Sequence, residues 1–325
     1  LKEEAKSLGL VGYSKLNKAD LEQLISVTKS EVIEMTKEEF ETSVTANTEN
    51  TKVLGYENED DWHELRAKRI GGSDIGAIIG VNPYKSIVDV YVDKTEGSNF
   101  KGNELTHWGH MLEGTILKEF SNKHKELIVY EVPYSVVNDF FIANLDGALK
   151  DKETGDYGVL EIKTTSLWNK KDWEDDVIPQ YYYAQVQHYL MLTGYKFAYI
   201  AVLIGGQQYK EFKIERSEED ISLIRNKATE FYQENLLKKI PPMPDGSDAY
   251  MNHLKKKAME IENNEVRELP EFEEIAIRIK ELARQKKLIE DEDKLLKEKI
   301  LHKMIEEKTL KAVAGKHKFN INERK

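Results

Sequence analysis

Three charged residues lie within two neighbouring apolar segments of the sequence. Asp146 ends the run Phe140–Asp146, and Glu161 and Lys163 lie inside the run Tyr157–Thr165. If both runs form β-strands, Glu161 and Lys163 point to the same face, because side chains alternate along a strand. Two carboxylates and an ammonium group placed side by side predict a metal-dependent site that cleaves phosphodiesters.

Magnesium is the metal that these oxygen ligands suit, with Mn²⁺ as a substitute. We expect Asp146 and Glu161 to bind the metal and the backbone carbonyl of Ile162 to be a third ligand on the same strand. Lys163 would orient the attacking water and lower its pKa. A simpler interpretation stays open from these residues alone: a strand-end Asp in a Gly turn beside an exposed Glu–Lys pair.

A third carboxylate lies in the predicted amphipathic helix over residues 108–120. Glu113 is close to the apolar face of that helix, where a carboxylate needs a partner, and a metal ion or its bound water is a candidate. His107 and His110 precede Glu113 at intervals of three, which is a weak indication of zinc. We disfavour zinc because this spacing drifts round a helix and no HExxH pattern is present.

A possible anion site precedes these residues. The sequence Gly71-Gly72-Ser73 is predicted to open a short helix over residues 74–79, with Ser73 as its N-cap and its free N–H groups available to an anion. Arg69 lies just upstream, where a guanidinium could bind the same phosphate. Alternatively, the glycines form only a tight turn and Arg69 is a surface residue.

These features occur in an order that resembles a known enzyme family. The ordered features are Arg69-Ile-Gly-Gly-Ser-Asp-Ile-Gly-Ala-Ile-Ile-Gly80, Asn82-Pro-Tyr-Lys-Ser86, Gly109-x-x-x-Glu113, Asp146-Gly147, Glu161-Ile-Lys163 and Gln185-Val-Gln-His-Tyr189. They resemble the RecB-like branch of the PD-(D/E)XK nucleases, and more closely the YqaJ-type viral recombinases and lambda exonuclease. The resemblance covers roughly residues 62–245.

The resemblance implies an α/β (α+β) restriction-endonuclease-like fold with a mixed sheet flanked by helices, and magnesium-dependent cleavage of DNA. It implies that Glu113, Asp146 and Glu161 are the acidic ligands and that Lys163 is the catalytic lysine. It also assigns Gln185 to the positioning of water or substrate, and Arg69 and Ser73 to the terminal 5′-phosphate. Trp108 and Gly114 depart from the Arg and Pro that the family often has there, which puts the local DNA contacts in doubt.

By the same resemblance, the expected activity is a phage-type exonuclease that digests linear double-stranded DNA from 5′ to 3′ and exposes single strands for recombination. A single-strand annealing protein is then an expected partner, and a trimeric ring is an expected assembly by analogy. A duplex or structure-specific endonuclease of the same fold is one alternative. A non-catalytic DNA-binding or scaffold protein is another, against which the complete set of acidic residues and Lys163 argues.

Composition bounds the compartment and the partners. The chain of 325 residues contains no cysteine, which excludes disulfides and iron–sulfur clusters held by thiolates. No run of apolar residues is long enough to span a membrane, and we expect a cytoplasmic protein. The family resemblance implies a bacterial host cell and a phage or prophage origin. The formal net charge of −11 argues mildly against a nucleic-acid partner, since phosphate binding requires positive charge.

The chain is predicted to have four parts. Residues 1–28 resemble a SAP or helix-extension-helix module, with an extended segment over residues 10–16 and a second helix capped by Asn17. Residues 29–55 have the composition of a flexible linker. Residues 56–250 are the nuclease domain. Residues 251–325 form a helical arm with a basic tail, in which heptads interrupted by Lys286 and Asp293 suggest a bent hairpin or an arm lying on a partner.

Overall fold

The computed structural model describes residues 1–7, 13–22, 32–45, 51–56, 58–97, 102–175, 177–244, 246, 248–262 and 265–321. The strands are β1 (Val32–Glu34), β2 (Lys52–Leu54), β3 (Ile70–Gly71), β4 (Leu127–Glu131), β5 (Ser135–Asn138), β6 (Phe141–Asn144), β7 (Gly147–Asp151), β8 (Tyr157–Thr165), β9 (Phe197–Ile204), β10 (Gln208–Glu215), β11 (Lys311–Ala314) and β12 (His317–Asn320). The α-helices are α1 (Lys2–Ser7), α2 (Lys37–Thr45), α3 (Glu59–Ala67), α4 (Gly72–Ile78), α5 (Ile87–Thr95), α6 (Glu104–Lys123), α7 (Gln180–Thr193), α8 (Glu218–Phe231), α9 (Asp248–Met259) and α10 (Glu273–Glu306).

A mixed six-stranded sheet is the centre of the first unit, residues 1–260. Its strand order is β1-β4-β7-β8-β9-β10, with β1–β4 and β8–β9 parallel and the other neighbours antiparallel. Strand β9 is almost entirely buried, which agrees with its continuous apolar sequence and its position between two strands. Glu161 and Lys163 are on β8, one strand further in.

Helices cover both faces of this sheet. On one face, Ile116, Leu117 and Phe120 of α6 pack against Leu149 and Leu160. On the other face, α7 contributes Ala184, Val186 and Leu190 to the larger apolar cluster. Because one face of β8 contacts α6 and the other contacts α7, the alternation along β8 decides which side chains reach each helix. The expected mixed sheet flanked by helices is therefore confirmed.

A second sheet, in the order β2-β5-β6-β3, lies beside the first, and its strand β6 ends shortly before Asp146. Strand β6 pairs with β3 in parallel and with β5 antiparallel. Ile142 of β6 is fully buried, and its carbonyl oxygen accepts a hydrogen bond from Nε2 of His188 on α7 at 3.0 Å. This bond ties the second sheet to the helix that packs on the first.

The prediction of a flexible linker over residues 29–55 is wrong for the part that the structure describes. Strand β1 pairs with β4 at the edge of the main sheet, and β2 pairs with β5. Met35, Phe40 and Val44 are buried in the main core. Phe40 and Val44 are spaced so that one face of α2 is buried. Most of the polar residues of this helix are exposed to solvent. Residues 29–31 and 46–50 lie outside the described residues.

The described residues among the first 22 form a small cluster of their own. Ala5 and Leu21 are buried against Tyr13 and Leu16. Asn17 accepts a hydrogen bond from the backbone N–H of Asp20 at 2.9 Å, so the predicted cap is confirmed. Residues 13–15 form a 3₁₀ turn, which corrects the expectation of an extended segment there, while residues 10–12 lie outside the described part.

The second unit, residues 261–325, consists of α10 and the hairpin β11–β12. Helix α10 is continuous over 34 residues, so the expectation of a bent helical hairpin is wrong. The basic tail is in part the strand β12. No helix in the described ranges has the length and apolar character needed to cross a membrane.

Candidate active site

Asp146 lies in the bend between β6 and β7. Its Oδ2 accepts a hydrogen bond of 2.7 Å from the backbone N–H of Ile162 on β8. The antiparallel register pairs Gly147 with Leu160, at the start of β7. The bend that follows β6 therefore lies beside the part of β8 that comes after Leu160 and has no partner on β7. Since the N–H and C=O of one strand residue face the same edge, the Ile162 carbonyl faces the Asp146 edge as well.

Glu161 and Lys163 lie on the face of β8 that meets α7, while Leu160 and Ile162 pack in the cluster under α6. Glu161 is only 1% exposed. Its Oε1 accepts hydrogen bonds from Lys163 Nζ and, at 2.7 Å, from Gln185 Nε2. Gln185 Nε2 also donates to the Tyr189 hydroxyl at 2.9 Å. The face alternation predicted from the sequence is thus present, and Gln185 contacts the site as expected.

Glu113 on α6 is half-buried and takes part in the site through its charge. Burial, and then the charge of Asp146, raises the pKa of Glu113 to about 7. Its nearest described ionic contact is His110, whose Nδ1 lies 3.7 Å from Glu113 Oε2. Glu113 therefore approaches Asp146 from the α6 side, opposite Gln185 on α7.

The three carboxylates oppose one another's ionisation. Burial, followed by the charge of Asp146, raises the pKa of Glu161 to about 8. Burial also raises the pKa of Asp146. Burial lowers the pKa of Lys163, but the charges of Glu161 and Asp146 outweigh it and hold that pKa above its usual range, so Lys163 is an ammonium ion at neutral pH. One ammonium group facing three carboxylates leaves the site short of positive charge.

A cleft of about 1000 Å³ opens above these groups. It is lined by acidic, basic, amide and aromatic side chains, among them Trp62, Arg66, Ser73, His107, His110, Asp146, Glu161, Lys163, Tyr182, Gln185 and Tyr189. Lys163 Nζ lies 4.9 Å from the centre of the Tyr182 ring, which limits its movement on that side. Glu113 is not among the residues that line the cleft, although His107 and His110 of the same helix are.

The donor atoms suit a hard divalent cation. Oε2 of Glu161 is buried and has no hydrogen-bond partner in the described part of the chain, which is an expensive arrangement for a carboxylate oxygen unless a cation binds it. Carboxylate and carbonyl oxygens are the ligands of magnesium. Among the described residues, however, no three acidic or histidine side chains converge as a finished ligand set, since Lys163 and Gln185 both bond to Glu161.

The cation that faces the cleft beside Ser73 is Arg66 and not Arg69. Arg66 Nη2 donates to Ser73 Oγ at 3.3 Å, and its guanidinium carbon lies 4.4 Å from the centre of the Trp62 ring. Arg69 lines a different cavity, and its Nη1 donates to the Leu65 carbonyl at 3.2 Å. The structure therefore does not bring the predicted pair Arg69 and Ser73 together, because Arg66 is the arginine that bonds to Ser73.

Helix α4 begins differently from the prediction. Its N-cap is Gly71 and its first residue is Gly72, so Ser73 lies inside the helix and is not the cap. Gly71 and Gly72 also do not form a tight turn, because Gly71 is extended at φ −97°. A Cβ on Gly72 would lie 2.5 Å from the Tyr189 ring, and one on Gly76 2.6 Å from Tyr181 Cβ. These glycines allow α4 to pack closely on α7.

A buried ion network holds the arginine and the helix start together. Asp74 Oδ2 accepts from the Gly71 N–H at 3.0 Å and lies 2.9 Å from Lys94 Nζ, which also donates to the Arg66 carbonyl at 2.9 Å. Lys85 contacts the other oxygen of Asp74 at 3.1 Å. Burial raises the pKa of Asp74, but Lys94 and Lys85 outweigh it and hold that pKa below its usual range. These contacts therefore hold in place the backbone that positions Arg66 and Ser73.

Sequence reasoning missed Arg66, Trp62 and Tyr189. The spacing Trp62-x-x-x-Arg66 on a capped helix places the two side chains on one face, which is the indication that could have been used. For Tyr189, its i, i+4 spacing from Gln185 on α7 is the one local indication of their contact.

Part of the chain matches a known protein family. Residues 61–196 match the family model described as the YqaJ-like viral recombinase domain. The protein YqaJ of Bacillus subtilis (strain 168) is 38% identical over 220 residues, which are 65% of this chain and 66% of YqaJ. Protein R354 of Acanthamoeba polyphaga mimivirus is 28% identical over 155 residues, which cover 44% of this chain and 28% of R354.

Among solved structures, the alkaline exonuclease LHK-Exo from Laribacter hongkongensis superposes with a TM-score of 0.43 at 19% identity, over 62% of this chain and 98% of that one. The matched family segment contains Arg66, Ser73, Glu113, Asp146, Glu161, Lys163 and Gln185. Over residues 61–196 the chain therefore carries a YqaJ-like viral recombinase domain.

Proposed function

We propose that this protein is a magnesium-dependent deoxyribonuclease that degrades linear double-stranded DNA from its ends, in the 5′ to 3′ direction. The observation that carries the proposal is the buried Glu161, whose one carboxylate oxygen bonds to Lys163 and Gln185 while the other has no partner among the described residues. A carboxylate kept in that state, beside Asp146, favours a catalytic role over a structural one.

Asp146, Glu161 and the Ile162 carbonyl would hold the metal, and Glu113 would complete the acidic set from α6. Bound Mg²⁺ would neutralise charge on the phosphate oxygens and lower the pKa of the attacking water. The high pKa of Glu161 and of Glu113 reflects the charge deficit that a divalent cation would remove. Mn²⁺ would serve as a substitute because it accepts the same oxygen ligands.

Lys163 would act as a fixed positive donor and not as a base. Its pKa is held above the usual range, so the ammonium group keeps its protons at neutral pH. From its place beside Glu161 it can donate to a water or to a non-bridging phosphate oxygen as negative charge develops there. Gln185, anchored on the Tyr189 hydroxyl, would keep the Glu161 carboxylate in its orientation.

Arg66 and Ser73 would bind the phosphate at the 5′ end of the strand. A guanidinium and a hydroxyl 3.3 Å apart can donate to one phosphate together. The stack of Arg66 on Trp62 limits the rotation of the side chain, and the Asp74–Lys94 pair fixes its backbone. This assignment favours an enzyme that begins at ends over one that cuts within a duplex. A single-strand annealing protein remains the proposed partner for the exposed strand.

The experiment is a comparison of three DNA substrates of identical sequence with the purified full chain and Mg²⁺. They are a linear duplex with 5′-phosphate ends, the same duplex with 5′-hydroxyl ends, and a covalently closed circle. We expect the phosphorylated duplex to be degraded fastest and the circle to stay intact. The Glu153→Gln variant, an exposed carboxylate change in the turn after β7, should behave like the wild type.

Each contrary result has a separate meaning. Cutting of the closed circle at the rate of the linear duplex would replace the exonuclease with an endonuclease of the same site. Binding of all three substrates without cleavage in Mg²⁺ or Mn²⁺ would reject the nuclease and favour a scaffold. Faster release from 3′ ends than from 5′ ends, followed with end-labelled strands, would reverse the proposed direction.

A further inference from the structure

A stripe of exposed apolar residues follows helix α10 from end to end. Its members lie at the a and d positions of a heptad repeat, namely Ile279 and Ile300 at a, and Ile275, Leu282, Ile289 and Leu296 at d. Five of these side chains are between 48% and 67% exposed. A single helix of 34 residues is about 50 Å long, and leaving such a stripe in water along that length is costly.

The charges within the stripe distinguish between its possible partners. The two remaining a positions are Lys286 and Asp293, which have opposite charges and are one heptad apart near the middle of the helix. In this structure they pair along their own helix, Lys286 with Glu290 at 3.8 Å and Asp293 with Lys297 at 2.5 Å. Such exposed pairs contribute little, so both side chains are available to a partner at small cost.

A parallel, in-register pair of these helices would place like charges together. In that arrangement each core layer contains the same residue from both chains, so Lys286 would face Lys286 and Asp293 would face Asp293. An antiparallel pair has the opposite outcome. With a two-fold axis near residue 288, Lys286 of one chain lies about one helical turn from Asp293 of the partner subunit, within reach of a lysine side chain.

The apolar residues fit the same antiparallel register. Around that axis Ile279 meets Leu296 of the partner subunit, and Ile275 meets Ile300 of the partner subunit. The reversed stripe therefore matches itself, with aliphatic layers at both ends and the opposite charges between them. A surface that is complementary to its own copy is the property of a two-fold interface.

We propose that α10 is a dimerisation helix that pairs antiparallel with α10 of a second copy of this chain. The pairing would join two nuclease units through the segment after residue 260 without using any residue of the cleft. The proposal does not depend on the proposed enzymatic activity, because its test reads only which residues meet between two chains.

The test uses the absence of cysteine from the natural sequence. Full-length Ile279→Cys and Leu296→Cys chains are mixed, oxidised and run on a non-reducing gel. We expect a disulfide-linked pair in the mixture and little in either variant alone. Arg284→Cys mixed with Asp291→Cys is the matched control, because both positions lie on the opposite side of the helix from the stripe and should not cross-link.

A charge exchange made in the same two cysteine chains provides a second test, in which loss and recovery of the cross-link are compared. Adding Lys286→Asp to both cysteine chains should greatly reduce the cross-linked pair, and adding Asp293→Lys as well should restore it. Self-cross-linking of Ile279→Cys alone would mean a parallel pair and overturn the proposal. Cross-linking no greater than that of the Arg284→Cys and Asp291→Cys control would mean that another surface covers the stripe, and would overturn it too.

Discussion

At the scale of single residues, the cleft brings acidic side chains together in a buried place, which is unfavourable for the stability of the fold. Glu161 is 1% exposed, and both Glu161 and Glu113 have pKa values raised towards neutrality. Lys163 compensates part of this charge, through its contact with Glu161. Such crowding destabilises the protein unless a cation binds, so metal binding should be visible as stability as well as activity.

We predict that Mg²⁺ raises the unfolding temperature of the wild type, and that Glu161→Gln abolishes the shift. At a metal concentration 100 times the dissociation constant, binding adds about 2.7 kcal/mol to the free energy of unfolding. Because the ligands must lose protons to bind, and the pKa of Glu161 is about 8, the shift should be larger at alkaline pH than at acidic pH. Thermal unfolding with Mg²⁺ and with chelator measures it. A full shift in Glu161→Gln would remove that residue from the metal site.

We predict that Arg66→Met abolishes the preference for 5′-phosphate over 5′-hydroxyl ends, whereas Arg69→Met leaves it unchanged. Only Arg66 faces the cleft beside Ser73, and Arg69 bonds to the Leu65 carbonyl away from it. Loss of a charge-assisted contact to phosphate costs about 1.5–3 kcal/mol, or roughly 10- to 100-fold in kcat/KM. Initial rates on the two kinds of ends provide the measurement. The reverse pattern would restore the original assignment of Arg69.

The charged residues on β8 could be predicted from the sequence because strand alternation is a local rule. Glu161 and Lys163 had to share a face once the segment was a strand. The choice between Arg66 and Arg69 could not be predicted in this way. It depends on where α3 ends and on the Lys94 bond to the Arg66 carbonyl, a contact across 28 positions of the chain.

At the scale of elements, the packing of α4 on α7 sets the width of the site. Gly72 lies against the Tyr189 ring and the Gln185 side chain, so the glycine and the glutamine that orients Glu161 are in direct contact. From the sequence alone, these glycines predict an anion-binding helix start or a tight turn. Their packing role could not be read from α4 alone, because it requires knowing that α7 crosses there.

We predict that Gly72→Ala destabilises the protein by about 1–3 kcal/mol and lowers activity by displacing Gln185. The added Cβ would approach the Tyr189 ring to 2.5 Å, and the buried ring has little room to move. Gly114→Ala in α6 is the matched control, since its Cβ meets nothing within 4 Å and alanine favours a helix by about 0.5–1 kcal/mol. Urea unfolding of both variants compares them. Equal stability of the two would contradict the close packing.

We predict that the wild type loses stability relative to a His188→Gln variant as the pH falls from about 6.5 towards 4, because of the buried His188 on α7. Burial lowers the pKa of His188 to about 4, so the folded state holds the ring neutral while the unfolded state binds a proton near pH 6.5. Because the unfolded state then binds more protons at this ring, the contribution of His188 to the free energy of unfolding should decrease by about 2 kcal/mol between pH 7 and pH 5. The raised pKa values of Glu113 and Glu161 act in the opposite direction in both proteins, so the His188 contribution is the difference between wild type and His188→Gln. Urea unfolding of wild type and His188→Gln at both values tests this. The same pH dependence of the free energy of unfolding in the variant as in the wild type would assign the effect to other groups.

At the scale of the whole molecule, the chain divides into a unit that contains the cleft and a second unit built on α10. The net charge of −11 does not come from α10, since the nine acidic side chains of this helix are balanced by nine Lys and Arg side chains. Sequence reasoning identified the long C-terminal helix because its composition and heptads are local. It failed for residues 32–54, whose strands exist only through pairing with β4 and β5, far along the chain.

The central claim is that the cleft around Asp146, Glu161 and Lys163 cleaves DNA. Its most direct test is the initial rate at which nucleotides are released from a 5′-phosphorylated linear duplex in Mg²⁺ by wild type, Asp146→Asn and Glu153→Gln. We expect Asp146→Asn to lose at least about 100-fold in rate, as expected for a group that stabilises the transition state, while Glu153→Gln keeps the wild-type rate. An Asp146→Asn protein that is folded and degrades the duplex as fast as the wild type would contradict the claim.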